Sequence, residues 1–286
     1  MIENKYYKIN YNLNGGEMNS LIFKGFEFMH QHDEFWNGTS PLLFPIVGRL
    51  NNNETIISGK KYQMNGHGFL RNSIFKLKEK GQDFVKLNYI YNQETLKMYP
   101  YKFNFNVIYK LVDDYIVQKY EITNLDDKIM PFNFGTHPAF NIFDDIIKHR
   151  ITFEKEENFI SPIVVEDKKI LDFKKGNIFK NIKKLDLNNQ LFIDDVVIIN
   201  NVKSKKVVLE GPRFMIYYTF SDFESFAVWT KINSKFICLE AWQGYADEVD
   251  TKCFLDKKQL IKLEPNQTKV FETKIKIYDK LDKYQG

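Results

Sequence analysis

The stretch Tyr101-Lys-Phe-Asn-Phe-Asn-Val-Ile-Tyr-Lys-Leu111 places an apolar residue at every second position. Successive side chains of a β-strand point to opposite faces, so this alternation predicts a strand with one buried face. Asp113-Asp114 then predicts a turn into a second strand over residues 115–123. Another turn at 124–128 leads into residues 130–135. Three successive antiparallel strands are therefore expected.

Upstream of this stretch, two hairpins are predicted. Residues 20–23 and 26–29 flank Lys24-Gly25, and residues 54–58 and 61–64 flank Gly59-Lys60. Each turn contains a glycine, which takes the positive φ that tight hairpin turns require. Between the hairpins, Asp33-Glu-Phe-Trp-Asn-Gly38 is predicted to be a short capped turn of helix. The segment that follows, Ser40 to Arg49, is apolar but contains two prolines, so we expect a packed irregular segment.

The second half of the chain continues the β pattern. Residues 144–190 are charged and rich in Lys and Asn, and we expect peripheral strands and long loops there. Further strands are predicted over 191–199, 206–210, 213–220, 225–230, 235–242 and 268–278. No linker, repeat or composition shift divides the chain, and its 16% aromatic content suits a β-rich core. The prediction is an all-β protein, a large antiparallel β-sandwich forming one domain over residues 1–286.

Charge and composition disfavour several classes of partner. The net charge of +4 is spread over 41 basic and 37 acidic residues without a large basic cluster, so no nucleic-acid binding is expected. No apolar segment resembles a signal peptide or a membrane span, which predicts a cytoplasmic protein without membrane association. Cys238 and Cys253 cannot build a disulfide framework. Cys238 lies in an apolar strand and is expected in the core rather than as a nucleophile.

The segment Phe236-Ile-Cys-Leu-Glu-Ala-Trp-Gln-Gly-Tyr-Ala-Asp247 puts one carboxylate inside an otherwise apolar strand. A period of two places Glu240 on the same face as Phe236 and Cys238. Burying an uncompensated charge is strongly unfavourable, so Glu240 needs a partner or a chemical task.

Two histidines in unusual settings are candidate partners. His67 lies between two glycines in Asn65-Gly-His-Gly-Phe-Leu-Arg71, and a surface turn is the simpler interpretation. His137 lies in Asn133-Phe-Gly-Thr-His-Pro-Ala-Phe-Asn141, where the following proline favours extended backbone. A core histidine bonded to backbone is the simpler interpretation there.

A metal centre built from both histidines and Glu240 is a further alternative. The chain has no closely spaced ligand pair of the His-Glu-x-x-His type to support it, so no metal is expected. His30 and His32 are close in sequence but lie in a polar turn beside Asp33, and we expect them at the surface. There is also no glycine-rich phosphate loop before a helix.

Asp194 and Asp195 interrupt an apolar run that is predicted to be a strand. Alternation sends them to opposite faces, with Asp195 on the face of Ile193 and Val197. A charge that protects an edge strand from aggregation is the simpler interpretation. Arg49 is one of four arginines in a lysine-rich chain, and its guanidinium offers a planar fork of donors.

Four motifs occur in the order and spacing of the aldose 1-epimerase (galactose mutarotase-like) family, and the chain most resembles its LacX-like branch. They are Ser40-Pro-Leu-Leu-Phe-Pro-Ile-Val-Gly-Arg49, Gly66-His-Gly-Phe69, Gly135-Thr-His-Pro-Ala-Phe140 and Cys238-Leu-Glu-Ala-Trp-Gln-Gly244. The resemblance covers nearly the whole chain. It implies a galactose mutarotase-like supersandwich as the fold. It also implies that the protein is an isomerase whose open face binds a small sugar, either a hexose or a hexose phosphate. We expect a monomer or a homodimer.

The resemblance also implies roles for individual residues. Carried over position by position, Glu240 matches the general base, His137 the general acid, His67 a second active-site histidine, Arg49 a substrate-contacting arginine and Asp195 a sugar-binding aspartate. The match at Asp195 is loose, and Asp194 is the alternative.

The chemistry suits these residue types. Interconversion of α and β anomers removes the proton of the C1 hydroxyl and protonates the ring oxygen, so that the C1–O5 bond opens and recloses. Glu240 is expected to be ionised and His137 protonated near neutral pH, because each charge favours the other. Trp229 or Trp242 would lie against the apolar face of the sugar. No cofactor or metal is required.

Other functions fit the same scaffold. A hexose 6-phosphate epimerase would need a basic rim, for which Arg71 and nearby lysines are candidates. A non-catalytic carbohydrate-binding or sensing protein would keep the pocket without a matched acid and base. A glycosidase needs a close pair of carboxylates, and only Glu240 is clearly predicted to be buried.

Overall fold

The computed structural model describes residues 1–165 and 167–284, and that part of the chain is built almost entirely of antiparallel strands. The strands are β1 (Ile2–Glu3), β2 (Tyr7–Tyr11), β3 (Met18–Phe23), β4 (Phe26–Glu27), β5 (Leu42–Leu43), β6 (Glu54–Ile57), β7 (Lys60–Gln63), β8 (Lys76–Lys80), β9 (Phe84–Ile90), β10 (Phe103–Val112), β11 (Tyr115–Asn124), β12 (Met130–Phe132), β13 (Phe134–Thr136), β14 (Ala139–Asn141), β15 (Arg150–Val165), β16 (Ile170–Asp186), β17 (Val196–Ile199), β18 (Lys206–Glu210), β19 (Phe214–Thr219), β20 (Ser225–Trp229), β21 (Phe236–Gln243), β22 (Ile261–Leu263) and β23 (Thr268–Asp279).

In the described residues, helical structure is limited to one short α-helix and several 3₁₀ turns. The helix α1 spans Gln93–Met98, and the side chain of Asn92 caps it by accepting a hydrogen bond from Thr95 N. The 3₁₀ turns are Asn51–Asn53, Leu70–Asn72, Ile146–Lys148, Asn189–Phe192, Phe254–Asp256 and Lys280–Tyr284. Within the described ranges, no helix has the length and apolar character needed to cross a membrane.

Two large sheets form the sandwich. The first has the order β16-β15-β18-β19-β23-β11-β10-β9-β8, and the second has the order β17-β20-β21-β13-β5, with β14 also paired to β21. Side chains from both sheets join one buried apolar cluster, including Phe105 and Val107 of β10 with Ile237 and Leu239 of β21. The predicted antiparallel β-sandwich is confirmed. Smaller sheets, β1-β2-β3-β4, β6-β7 and β12-β22, flank it.

The predicted hairpins are present with small shifts. The turn between β3 and β4 has positive φ at both Lys24 and Gly25, which matches the twist of a tight hairpin. The turn between β6 and β7 has positive φ at Ser58 and Gly59, one residue earlier than predicted.

The predicted run of three successive antiparallel strands is only partly right. β10 and β11 pair over their full length, from Phe103 opposite Asn124 to Val112 opposite Tyr115. The other neighbour of β11 is β23, the last strand of the chain. Residues 130–135 instead contribute to β12 and β13, of which β13 lies between β21 and β5 in the second sheet. Local turn signals do not predict these pairings, because the paired strands lie far apart in the sequence.

The region between residues 144 and 190 is more regular than expected. β15 and β16 form a long hairpin at the edge of the nine-stranded sheet, with register shifts along its length. Phe159 and Phe179 stack across it with ring centroids 4.7 Å apart. The frequent lysines keep the outer face solvated, and they hide the strand period in the sequence.

Two local predictions are wrong. Residues 33–38 form bends rather than a helical turn, because the Asp33 carboxylate accepts hydrogen bonds from the backbone N–H groups of Phe35 and Trp36 and closes a single turn. The predicted strand at 191–199 begins only at Val196. Asn188 caps a 3₁₀ turn ahead of it, so both aspartates lie in the connection rather than in the strand.

Candidate active site

The strand β21 separates the core from the candidate site. Ile237, Leu239 and Ala241 point into the main apolar cluster. The alternate residues Cys238, Glu240 and Trp242 lie on the opposite face. This confirms the alternation predicted from the sequence, including a carboxylate that is only 1% exposed.

His137 is placed opposite Glu240 by strand pairing. Both β13 and β14 pair with β21, with Gly135 opposite Trp242 and Ala139 opposite Cys238. The residue midway between the two pairs is His137, and it therefore falls opposite Glu240. Pro138 interrupts the strand there, and its carbonyl accepts a hydrogen bond from Leu239 N at 3.2 Å. The two side chains are cross-strand neighbours.

The two side chains are in polar contact. His137 Nε2 lies 3.2 Å from Glu240 Oε2. Neither Glu240 oxygen has a hydrogen bond of good geometry in the described part of the chain, nor does His137 Nδ1 or Trp242 Nε1. Buried polar atoms are normally hydrogen-bonded, so these atoms are available to form hydrogen bonds with a ligand.

Burial drives both members of the pair toward their neutral forms. The pKa of Glu240 is raised well above its ordinary value, mainly by burial, although the nearby Trp242 side chain opposes the shift. The pKa of His137 is lowered well below its ordinary value, again mainly by burial and then by the proximity of His67. We predicted an ion pair, and the structure instead favours a neutral pair. The desolvation cost of two charges exceeds their mutual attraction here.

His67 is fixed as a neutral donor. It has a φ of 66°, and its backbone N donates to Gly48 O at 2.7 Å. Gly48 N donates back to His67 Nδ1 at 3.1 Å, so Nδ1 carries no proton and Nε2 carries one. Burial lowers the pKa of His67 to about 3, and the charges of Arg71 and Arg49 add to this effect.

The glycine after His67 is required by close packing. Gly68 has a φ of +71°, and a Cβ at this position would lie 2.0 Å from the carbonyl oxygen of Phe44. The flanking backbone bonds, Phe44 N to His67 O and Phe69 N to Phe44 O, hold the two segments together. The two glycines therefore mark a close backbone approach that carries His67 into the site.

Arg49 is exposed at the rim, and its backbone is held by Asp247. Asp247 N donates to Arg49 O at 2.8 Å, and the Asp247 carboxylate accepts from Asn51 N at 2.9 Å. The same carboxylate lies 2.9 Å from Nζ of Lys257, which is fully buried. Sequence reasoning missed this buried ion pair.

Asp195, not Asp194, faces the site. Asp195 has a φ of 83°, and its carboxylate accepts a hydrogen bond from Trp229 Nε1 at 2.9 Å. Asp194 is exposed and accepts from Asn177 of the long hairpin at 3.0 Å. A left-handed conformation is unfavourable for a residue with a Cβ and is often retained at functional sites.

All five predicted site residues line one cavity of about 610 Å³. It is also lined by Arg71, Lys169, Lys231 and all three tryptophans of the chain, Trp36, Trp229 and Trp242. Trp36, Lys169 and Lys231 were not predicted. Trp36 lies in the segment with a predicted helical turn, and the signal available for it in the sequence is that tryptophan occurs only three times.

His30 is buried, contrary to prediction. Its Nε2 lies 3.0 Å from the carbonyl oxygen of Trp36, and its ring packs 4.4 Å from that of Phe236. His32 is exposed, as expected.

Three potential metal ligands lie together beside the site. Ligand atoms of His137, Cys238 and Glu240 lie within 4.8 Å of one another. Binding a metal through Cys238 would require its thiolate, and in the metal-free site burial raises the pKa of the thiol well above its ordinary value. That the site works without a metal stays a prediction.

Comparison with known proteins identifies the family. The family model for aldose 1-epimerase matches residues 1–276. Protein LacX (plasmid) of Lactococcus lactis subsp. lactis is 32% identical, over 93% of this chain and 95% of that protein. The structure of a galactose mutarotase related enzyme from Lactobacillus acidophilus aligns with a TM-score of 0.91 and 27% identity, over 97% of this chain and 96% of the other. A galactose mutarotase-like protein from Lactobacillus casei ATCC 334 aligns with a TM-score of 0.89 and 28% identity, over 97% and 99%. The galactose mutarotase-like fold is thereby established, and the chain belongs to the aldose 1-epimerase family.

Proposed function

We propose that this protein is a mutarotase-type aldose 1-epimerase that interconverts the α and β anomers of a hexose. The observation that carries the proposal is the contact of Glu240 with His137 on the wall of a 610 Å³ cavity. Small-molecule sites commonly enclose about 300 to 1,000 Å³, so a hexose fits.

The pair supplies an acid and a base at the same time. With one proton on the pair, either Glu240 is protonated and His137 is neutral, or Glu240 is ionised and His137 is protonated. Both states hold one donor and one acceptor, and proton transfer across the 3.2 Å contact interconverts them. In the reactive state Glu240 removes the C1 hydroxyl proton while His137 protonates the ring oxygen. The reverse transfers close the ring after the aldehyde rotates.

The other side chains position the sugar. His67 presents its Nε2–H, because its Nδ1 already accepts from Gly48 N. Arg49 offers donors at the rim, and the Asp195 carboxylate, oriented by Trp229, accepts from sugar hydroxyls. Trp229 and Trp242 provide apolar surface for the C–H faces of the ring.

Polarimetry tests the proposal. Freshly dissolved α-D-glucose and α-D-galactose are followed toward their equilibrium rotation with the wild-type protein and with His137→Gln. We expect faster decay with the wild-type protein and a loss of about 100-fold or more in kcat for the variant, the usual scale for removing an acid or base. Acceleration that survives His137→Gln contradicts the proposed role.

A non-catalytic sugar-binding protein is distinguished in the same experiment. It would bind a hexose saturably, as seen by tryptophan fluorescence, without any acceleration of anomerisation. Burial raises the pKa of the Glu240 carboxyl, and its oxygens accept no hydrogen bond of good geometry from the described residues. This favours the catalytic assignment, since a pure binding site has no need of such a carboxyl.

A phosphorylated hexose is the second candidate substrate, and the charges around the cavity favour it. Four cationic side chains, Arg49, Arg71, Lys169 and Lys231, line the cavity. Two carboxyls, Asp195 and Glu240, also line the cavity, and burial favours the neutral form of Glu240, so cationic side chains outnumber anionic ones there. Arg71 is partly buried and forms no ion pair within the described residues. A cavity with excess positive charge attracts anionic ligands.

A comparison of rates on the two sugars decides between a phosphorylated and an unphosphorylated substrate. Anomerisation of glucose 6-phosphate and of glucose is compared for the wild-type protein, Arg71→Gln and the surface control Lys78→Gln. If the phosphate is recognised, Arg71→Gln lowers kcat/KM for the phosphorylated sugar about tenfold more than for glucose, since a charge-assisted contact is lost. Equal effects of Arg71→Gln on both sugars exclude phosphate recognition by Arg71.

A further inference from the structure

The turn at residues 33–38 is built to place one indole ring. Phe35 N and Trp36 N donate to Asp33 Oδ1 at 2.9 and 3.0 Å. The carbonyl oxygen of Trp36 accepts from Asp33 N at 3.2 Å and lies 3.0 Å from Nε2 of the buried His30. Four polar contacts therefore fix the backbone around Trp36 in a segment without regular secondary structure.

Gly38 adds a steric requirement. A Cβ at Gly38 would lie 2.5 Å from Cζ2 of Trp36, so the indole lies flat against this glycine. Any larger residue at position 38 would displace the ring. Such close packing is unusual for an exposed surface turn, and it indicates that the location of the ring matters.

The ring that is placed in this way lies on His137. The centroids of Trp36 and His137 are 5.1 Å apart, with an angle of 23° between their planes. Trp229 meets the same imidazole edge-on at 5.5 Å, and His67 meets it edge-on at 5.7 Å. The imidazole is thus enclosed by aromatic rings.

His137 depends on this packing because it lacks a second polar anchor. His67 is held at Nδ1 by Gly48 N, whereas Nδ1 of His137 has no hydrogen-bond partner in the described residues. Among the described residues, the one polar contact of the His137 side chain is from Nε2 to Glu240. One contact leaves the ring free to rotate about it, so the stacked indole must define the plane of the imidazole.

We propose that Trp36 is a positioning residue that holds the His137 imidazole in line with Glu240. The contacts of Asp33, His30 and Gly38 fix the position of the Trp36 indole. The proposal rests on the acid/base function proposed above. Trp36 also covers the imidazole from solvent.

Four proteins test this assignment: wild type, Trp36→Ala, Trp36→Phe and Gly38→Ala. Phe35→Ala is the matched control, because Phe35 is the exposed neighbour in the same turn. We expect Trp36→Ala and Gly38→Ala to lower kcat about tenfold to 100-fold with KM changed less than about threefold, since small misplacements of catalytic groups have effects of this size. Trp36→Phe keeps a stacking ring and should retain most of the activity.

Histidine NMR provides a readout that does not depend on turnover. The chain has five histidines, and His137→Gln identifies the ring signals of His137. In the wild-type protein this ring should not titrate between about pH 5 and 8, whereas in Trp36→Ala it should titrate there, because solvent reaches it. If wild type anomerises no sugar, the proposed function fails while this comparison still decides the placement of His137.

Several outcomes would overturn the assignment. An increase in KM at constant kcat would make Trp36 a sugar-stacking surface. A lower melting temperature with unchanged kcat and unchanged His137 signals would make it a purely structural residue. Loss of activity in Phe35→Ala equal to that in Trp36→Ala would show that the turn as a whole, rather than the indole, is required.

Discussion

His67 and His137 lie edge to face in one cavity, yet their protons are controlled differently. In His67 a backbone N–H occupies Nδ1 and fixes the tautomer. In His137 the polar contact is with Glu240, a group that itself exchanges a proton. The first histidine is therefore suited to donate a permanent hydrogen bond to a sugar oxygen, and the second to gain and lose a proton during turnover.

The buried histidine His67 should make the protein sensitive to acid. Its pKa is about 3 in the folded protein against an ordinary value of 6.5, so between these pH values the unfolded chain takes up a proton that the folded chain refuses. Stability should therefore fall as pH decreases from about 6.5 toward 3, and His67→Gln should flatten this decrease. Thermal melts at several pH values check it, with the exposed His32→Gln as control. Parallel curves for wild type and His67→Gln would contradict the assigned protonation state.

The pH dependence of activity should follow the shared proton. Activity should fall where the Glu240–His137 pair gains a second proton, at low pH, and where it loses its only proton, at high pH. The two apparent pKa values belong to the pair and not to either residue. A bell-shaped profile of kcat/KM in wild type that loses one limb in His137→Gln would support this. A flat profile would exclude acid/base catalysis by the pair.

At the residue scale, the sequence was informative where a residue broke its local pattern. Glu240 in an apolar strand and His67 between glycines were found in this way, and both line the cavity. Trp36 and His30 were missed because nothing local distinguishes a bend that packs on a distant histidine from a polar surface turn. Asp195 lines the same cavity, but it lies in the connection before β17 and not on the strand face predicted for it.

At the scale of secondary structure, the contact between Glu240 and His137 depends on the pairing of two short strands with β21. β13 and β14 both pair with β21, and the interruption at Pro138 leaves His137 facing Glu240. The alternation of apolar residues predicted most strands, because burial of one face is a local property. It did not predict which strands are neighbours, because pairing is decided by contacts between segments far apart in sequence.

The loop after β21 contains the buried ion pair Asp247–Lys257, which ties Arg49 to the site. Lys257→Met should destabilise the protein by about 3–5 kcal/mol, because it leaves an uncompensated buried carboxylate. Adding Asp247→Asn should recover part of the loss. Urea denaturation of the single and double variants measures this, with the exposed Lys258→Met as control. A cost below about 1 kcal/mol for Lys257→Met would show that solvent reaches the pair.

At the scale of the whole molecule, the sandwich uses one face of its six-stranded sheet for the core and the other for the cavity. A single large apolar cluster includes residues from β1 to β23, and one domain over residues 1–286 stays a prediction. The sequence predicts that the many aromatic residues form a β core, and some of them also line the cavity. All three tryptophans are there.

This distribution makes intrinsic fluorescence a direct report on the site. Titration with a hexose should change the tryptophan emission saturably as the sugar binds. The change should be large, because all three tryptophans line the cavity. Trp229→Phe, which also loses the hydrogen bond to Asp195, should reduce the amplitude and weaken binding. The substitution Tyr6→Phe serves as the control, because Tyr6 is exposed and does not line the cavity. Sugar turnover without any emission change would place binding outside this cavity.

The anomerisation rate of Glu240→Gln tests whether Glu240 and His137 form the proposed proton-transfer pair. Glutamine preserves the shape but cannot exchange a proton, so kcat should fall about 100-fold or more while sugar binding, followed by fluorescence, persists. The exposed Glu264→Gln should behave as wild type. Full activity in a Glu240→Gln protein that binds the sugar would show that Glu240 is not the base.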